Sequence, residues 1–105
     1  MQNVAPEIEG YLAALNPGNE RLARVAAEGE ALGLPIVNPA VGRFLEALVV
    51  ATGTRRVLEI GTANGYSALW LARSLPADGQ ILTLEINPER AAVARHHFEE
   101  SGLAD

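Results

Sequence analysis

The sequence predicts an α/β fold in which three N-terminal helices precede a β-α-β-α unit with parallel strands. Three observations carry this. Residues 57–65, VLEIGTANG, form a short apolar run that ends in an acid and turns through glycines into the helical pattern YSALWLARSL. Residues 81–86, ILTLEI, are almost continuously apolar, as a parallel strand covered on both faces would be. Asn-Pro pairs and single glycines stand where helices should start and stop.

Taken in order, residues 6–15 (PEIEGYLAAL) predict a short helix with Pro6 in its first turn, where a missing N–H costs little. Asn16-Pro17-Gly18 ends it as a turn. Residues 19–32 predict a second helix, with Leu22, Val25, Ala26 and Leu32 on one face and Glu20, Arg24 and Glu28 on the other. Gly33 closes it. Residues 34–38 should be extended, because Pro35 and Pro39 each disfavour a helical residue before them. Asn38 then caps a third helix with Pro39 at its first position. Its stripe of Val41, Phe44, Leu45, Leu48 and Val49 is expected to pack against the sheet, and the helix to end near Thr52-Gly53.

The first strand is expected at Arg56–Ile60, with a helix from about Tyr66 to Leu75 and a return turn at Pro76–Gly79. The second strand is expected at Ile81–Ile86. Asn87-Pro88-Glu89 opens the last helix with a cap, a first-turn proline and an acid near the positive dipole end. That helix should run to Ser101 and stop at Gly102. The chain divides into a helical segment, residues 1–38, and an α/β portion, residues 39–105.

Composition narrows the chemistry. The net charge is −5, which speaks against a nucleic-acid partner, since phosphate recognition relies on clustered Lys and Arg. All eight basic residues are Arg, so a lysine base or Schiff base is excluded within this chain. Cysteine is absent, which removes disulfides, thiolate nucleophiles and cysteine-type zinc sites. The apolar runs fall well short of the roughly 18 residues a membrane span needs. The opening MQNVAPEIEG shows no basic segment followed by an apolar core, so no secretory signal is expected and the cytoplasm is the expected compartment.

The glycine loop carries the chemistry. A dinucleotide fingerprint wants glycines at its first, third and sixth positions. Here those positions are Gly61, Ala63 and Tyr66, so a dehydrogenase-type half is disfavoured. The pattern present is acid–x–Gly–x–x–x–Gly, from Glu59 to Gly65. Glycines there either let backbone approach a ligand or simply turn the chain. Glu59, a charge in an apolar strand, either braces that loop or faces a ligand at the strand's C-terminal end. Glu85 ends the second strand beside the tip of the first, so both acids should emerge on one rim of the sheet. By themselves these residues suggest a small anionic or zwitterionic ligand.

Residues 57–105 resemble the opening of a class I S-adenosylmethionine (SAM) methyltransferase, and most of all the cation-dependent O-methyltransferases of the catechol and caffeoyl-CoA type. The resemblance extends through residues 34–56 and fades over residues 1–33. Ala63 stands where many methyltransferases have a further glycine, a departure usual in the catechol-type group, as is Gly65-Tyr66-Ser67. The resemblance implies the N-terminal half of a Rossmann-like fold and transfer of a methyl group from SAM to a hydroxyl of a small, catechol-like acceptor. It places Glu59 beneath the methionine moiety, Glu85 on the two ribose hydroxyls and Ile86 against the adenine. Ser67 would meet the cofactor carboxylate beside Tyr66, Val37 would touch the methionine end, and Gly61, Thr62, Ala63 and Gly65 would line the loop. The family's divalent cation, a magnesium-type ion, and its lysine base follow later strands, and their ligands are absent here; no catalytic residue is assigned.

The family's sheet has the order 3-2-1-4-5-7-6, of which 105 residues supply strands 1 and 2. Strand 1 is left with an open edge, a template for pairing with another chain. A two-fold homodimer with the sheet order 2-1-1-2 is therefore expected, and a non-catalytic SAM-binding or self-associating module is the alternative function. His96 and His97, adjacent on a helix, point about 100° apart and are expected at the surface rather than on a metal. Trp70 is expected to pack in the core or at a subunit contact.

Overall fold

The computed structural model describes residues 4–103. In order, it contains α1 (Pro6–Leu15), α2 (Glu20–Ala31), α3 (Pro39–Thr52), β1 (Arg56–Ile60), α4 (Tyr66–Ala72), β2 (Gln80–Leu84) and α5 (Pro88–Glu100). Three asparagines start the long helices by the same device. The side chains of Asn19, Asn38 and Asn87 accept from the N–H groups of Leu22, Val41, and Glu89 with Arg90, satisfying first-turn donors that have no intrahelical partner. Gly53 ends α3 in the left-handed conformation.

The strands pair in parallel, with Glu59 opposite Thr83 and Ile60 opposite Leu84. β2 stops two residues earlier than its apolar run suggests. Beyond Ile60 the chain turns away at Gly61 (φ 91°), and the N–H groups of Gly61 and Thr62 both close onto Leu84 O, so Glu85 and Ile86 have no strand left to pair with. α4 likewise ends at Ala72, short of Leu75, and Arg73–Leu75 already belong to the return turn.

The core gathers Leu22 and Val25 of α2 with Tyr66, Leu69 and Trp70 of α4, and Ala26, Ile36, Val37 and Phe98 pack around them. Trp70, 1% exposed, sits in that core. A Cβ on Gly42 would lie 2.4 Å from its Nε1, so α3 can approach α4 only because that position lacks a side chain. The guanidinium groups of Arg43 and Arg73 lie 5.2 and 4.9 Å from the indole centroid, and Glu46 pairs with both arginines.

Four expectations are corrected. α3 packs chiefly on α4 rather than on the sheet, leaving Phe44 and Leu48 exposed. Leu32 lies outside the buried face of α2. β2 is not covered on both faces: Leu58, Ile60, Leu82, Leu84 and Ile86 form an exposed apolar surface on the side away from the helices. His97 is buried, and only His96 is at the surface. His97 turns inward because Glu28 of α2 waits there, its Oε2 2.9 Å from His97 Nε2.

Candidate functional site

The parallel register brings the C-terminal ends of β1 and β2 to one rim, and the loop 61–65 lies over it. Glu59 is half-buried there. Thr83 Oγ1 donates to its Oε1 at 2.7 Å, and Ser67 Oγ donates to Oε2. Since the Thr83 hydroxyl proton goes to the carboxylate, the 2.5 Å contact between Thr62 and Thr83 has Thr62 as donor. Glu59 thus ties β2, the loop and α4 together through hydroxyl groups rather than through loop N–H groups.

Glu85 is held differently. Its Oε1 accepts from Ala63 N–H at 2.8 Å and its Oε2 from Asn87 N–H at 3.0 Å. These backbone donors, Asn87 foremost and then Ala63, hold the carboxyl below its ordinary value of 4.5, with Arg90 assisting and partial desolvation opposing. Ala63 is the residue other than glycine with positive φ (51°) among those described, and that turn is what aims its N–H at Glu85. Each carboxylate oxygen carries more than one acceptor site, so both keep capacity for another donor.

The remaining predicted residues separate into those at the rim and those beneath it. Ile86 is 99% exposed beside Glu85. Gly61 is open to solvent, and nothing would meet a Cβ there. Gly65 (φ 92°) lies against Phe98, whose ring would be 2.8 Å from a Cβ. Val37 is half-buried against the core. Thr62 is buried, and Tyr66 packs edge-on against Trp70 with centroids 6.5 Å apart, so Tyr66 offers the rim its backbone only.

Residue-by-residue reading missed three positioning groups. Thr83 was visible as the polar position in the apolar run ILTLEI, and parallel pairing puts it opposite Glu59. Asn87 was read only as a helix cap, yet its N–H also fixes Glu85. Asn64, completely buried, donates from Nδ2 to Val25 O at 2.8 Å, a partner in α2 that nothing local announces.

A parallel pair whose strand ends carry two acids around a glycine loop defines the opening half of a Rossmann-like cofactor-binding fold. The comparisons with known proteins name the class more closely. A family model described as O-methyltransferase matches residues 15–105, and the chain belongs to that family. It is 40% identical over 103 residues to a catechol O-methyltransferase of Mycobacterium tuberculosis, covering 95% of this chain and 47% of that protein. It is 42% identical over 73 residues to a catechol O-methyltransferase of Niastella koreensis, covering 68% of this chain and 33% of that protein. Among solved structures, the O-methyltransferase TomG from Streptomyces achromogenes, in complex with SAM, superposes with a TM-score of 0.83 at 36% identity, over 93% of this chain and 45% of its own. The Bacillus cereus O-methyltransferase in complex with SAH does so with a TM-score of 0.83 at 39% identity, over 93% and 46%.

The fold is therefore the N-terminal half of a SAM methyltransferase fold, and the chain spans about half the length, or less, of the relatives it matches. The likeness also reaches further toward the N-terminus than the motifs alone suggested.

Proposed function

We propose that the protein works in SAM-dependent O-methylation, moving the sulfonium methyl group to a hydroxyl of a small, catechol-like acceptor in the cytoplasm. Residues 39–105 provide the cofactor contacts, and the helical segment 1–38 adds Val37, its α1 and α2 packing on α3 and α4. One observation carries the reading: Glu59 and Glu85 reach the same rim, with the Gly61–Gly65 loop folded between them.

The residues present fit the cofactor. Glu85, ionised and aimed by two backbone N–H groups, has free acceptor capacity for the two ribose hydroxyls. Ile86 offers an exposed apolar surface for the adenine. Gly61 lets the methionine portion approach the backbone. Glu59, fixed by Thr83 and Ser67, would supply negative charge toward the cofactor's ammonium group. TomG and the Bacillus cereus enzyme, bound to SAM and SAH, support SAM as the cofactor.

Methyl transfer is an in-line displacement. The acceptor oxygen bonds to the methyl carbon, the carbon–sulfur bond gives its electron pair to sulfur, and the hydroxyl proton leaves to a base. This chain's part is to bind and orient the sulfonium nucleoside for that line of attack. A divalent cation would lower the pKa of the acceptor hydroxyl. Among the described residues no three His, Asp or Glu side chains converge to hold one, and the chain has no Lys, so no step is assigned to either group. Acceptor activation is assigned to the part of the family's length that this chain does not span.

Calorimetric titration tests the reading: S-adenosylhomocysteine should bind and NAD should not. With radiolabelled SAM, a catechol and magnesium, the 105-residue chain alone should show no turnover. Preference for NAD, or no binding of S-adenosylhomocysteine, would overturn the assignment.

The edge of β1 away from β2, unpaired among the described residues, favours a second reading, a self-associating module without catalysis. In it, β1 of one copy pairs with β1 of another, giving the order 2-1-1-2 and a homodimer. Sedimentation should then give twice the chain mass; a monomer with well-dispersed amide spectra excludes that pairing. Activity in a longer version of the chain would separate the two readings.

A further inference from the structure

Asn64 sits between two residues held in left-handed conformations, Ala63 and Gly65, at the centre of the loop that covers the two acids. Its side chain does not point at the rim. It is wholly buried, and Nδ2 donates to the carbonyl of Val25 in α2 at 2.8 Å. Turned over, the amide would set its oxygen against that carbonyl, so the NH2 group must face α2. Val25 O lies in the middle of a helix and takes Asn64 as a second donor beside its helical partner.

Room for the contact comes from Gly29, one helical turn further along α2. A Cβ there would lie 3.0 Å from Asn64 Nδ2 and 2.9 Å from Ile36 Cδ1. Ile36 is next to Val37, so the same close approach also sets the segment that brings Val37 to the core. On its other flank the loop is seated by Gly65 against Phe98 of α5.

We propose that Asn64 is a positioning residue for the cofactor, and that its bond to Val25 makes helix α2 a determinant of cofactor affinity. The proposal rests on the SAM-binding reading given above. The loop must hold Ala63 at positive φ for its N–H to meet Glu85. With Asn64 anchored, that conformation is formed before the ligand arrives; without the anchor, binding must also bear the cost of ordering the loop.

The test is titration of S-adenosylhomocysteine into the wild-type chain, Asn64→Ala and Gly29→Ala, well below their melting temperatures. Amide hydrogen exchange is followed on the same proteins. Both variants should bind about tenfold more weakly, the scale of one lost buried hydrogen bond. The Ala63 amide should exchange faster while Leu58 in β1 is unaffected. A purely structural role would lower the melting temperature and leave the dissociation constant and the Ala63 exchange rate as they were. Wild-type binding matched by either folded variant overturns the proposal; the second variant, acting from α2, keeps the test open should Asn64→Ala not fold. Absence of binding by the wild type would instead overturn the cofactor assignment, and this inference with it.

Discussion

Glu59 on β1 and Thr83 on β2 are register partners, and the threonine hydroxyl donates to the glutamate Oε1 at 2.7 Å. Ser67 donates to the other oxygen and Thr62 donates into Thr83, so one carboxylate collects hydroxyls from β2 and α4, with the loop joined to it through Thr83. Glu59→Gln would place an NH2 group where one of those hydroxyls must also donate. The expected loss is about 1–3 kcal/mol of stability, as for other hydrogen bonds to a charged acceptor. It should appear as a lower urea midpoint at unchanged slope. An unchanged midpoint would mean the hydroxyl network is dispensable to the fold.

Glu85 provides the pH dependence. Its folded pKa lies below the ordinary 4.5, through the N–H groups of Asn87 and then Ala63. A group with a depressed folded pKa contributes fully above its unfolded value and loses that contribution as pH falls through the folded one. Ribose binding needs the same carboxylate ionised, so affinity for S-adenosylhomocysteine should be flat at neutral pH and decline only as pH falls below the ordinary 4.5, through the depressed folded value. Glu85→Gln should remove this acid limb and weaken binding at neutral pH by about tenfold or more, since charge-assisted acceptors are lost. A wild-type acid limb that persists in the variant would assign the titration to another group.

Element types were legible because several helices carry a local start signal: Asn38 and Asn87 cap as read, and Asn19 caps α2 by the same device without having been singled out. Strand β1 was legible to its last residue, because Gly61 follows it. The end of β2 was not, since it depends on the length of β1 and not on the composition of ILTLEI. The common rim followed from parallel pairing, and so did the placement of both acids. What their oxygens touch did not. Thr83 and Asn64 act across the fold, and the inward turn of His97 depends on Glu28, remote in sequence. The apolar stripe of α3 was correctly read as apolar, but a helix does not encode what covers it.

The contact between His97 and Glu28 joins α5 to α2, with Arg21, Arg24, His96 and Glu100 lining the same groove. Glu28 is partly exposed, at 39% for its side chain, so solvent weakens the pair. A double-mutant cycle with His97→Gln and Glu28→Gln should give a coupling of about 0.5–1 kcal/mol. His96→Gln should change stability by less than about 0.5 kcal/mol, because His96 faces solvent. A larger effect at His96 than at His97 would contradict the buried placement.

Gly42 and Trp70 set the spacing of α3 and α4, and this contact can be read optically because Trp70 is the only tryptophan in the sequence. An added Cβ at Gly42 would stand 2.4 Å from Nε1 and 2.5 Å from Cδ1, too close for a rigid ring held by Arg43 and Arg73 to accept without moving. Alanine improves helix propensity by about 1 kcal/mol, but overpacking a core contact costs about 1–3 kcal/mol, and an overlap this deep belongs at the upper end. Gly42→Ala should therefore lose about 2 kcal/mol net and shift the Trp70 emission to longer wavelength in the folded state. Gly10→Ala is the matched control: it lies in α1 with nothing within 4 Å of the added Cβ, so propensity alone should stabilise the chain by up to about 1 kcal/mol with the emission unchanged. If both glycine variants were equally stable, Trp70 would not be the wedge that fixes α3 against α4.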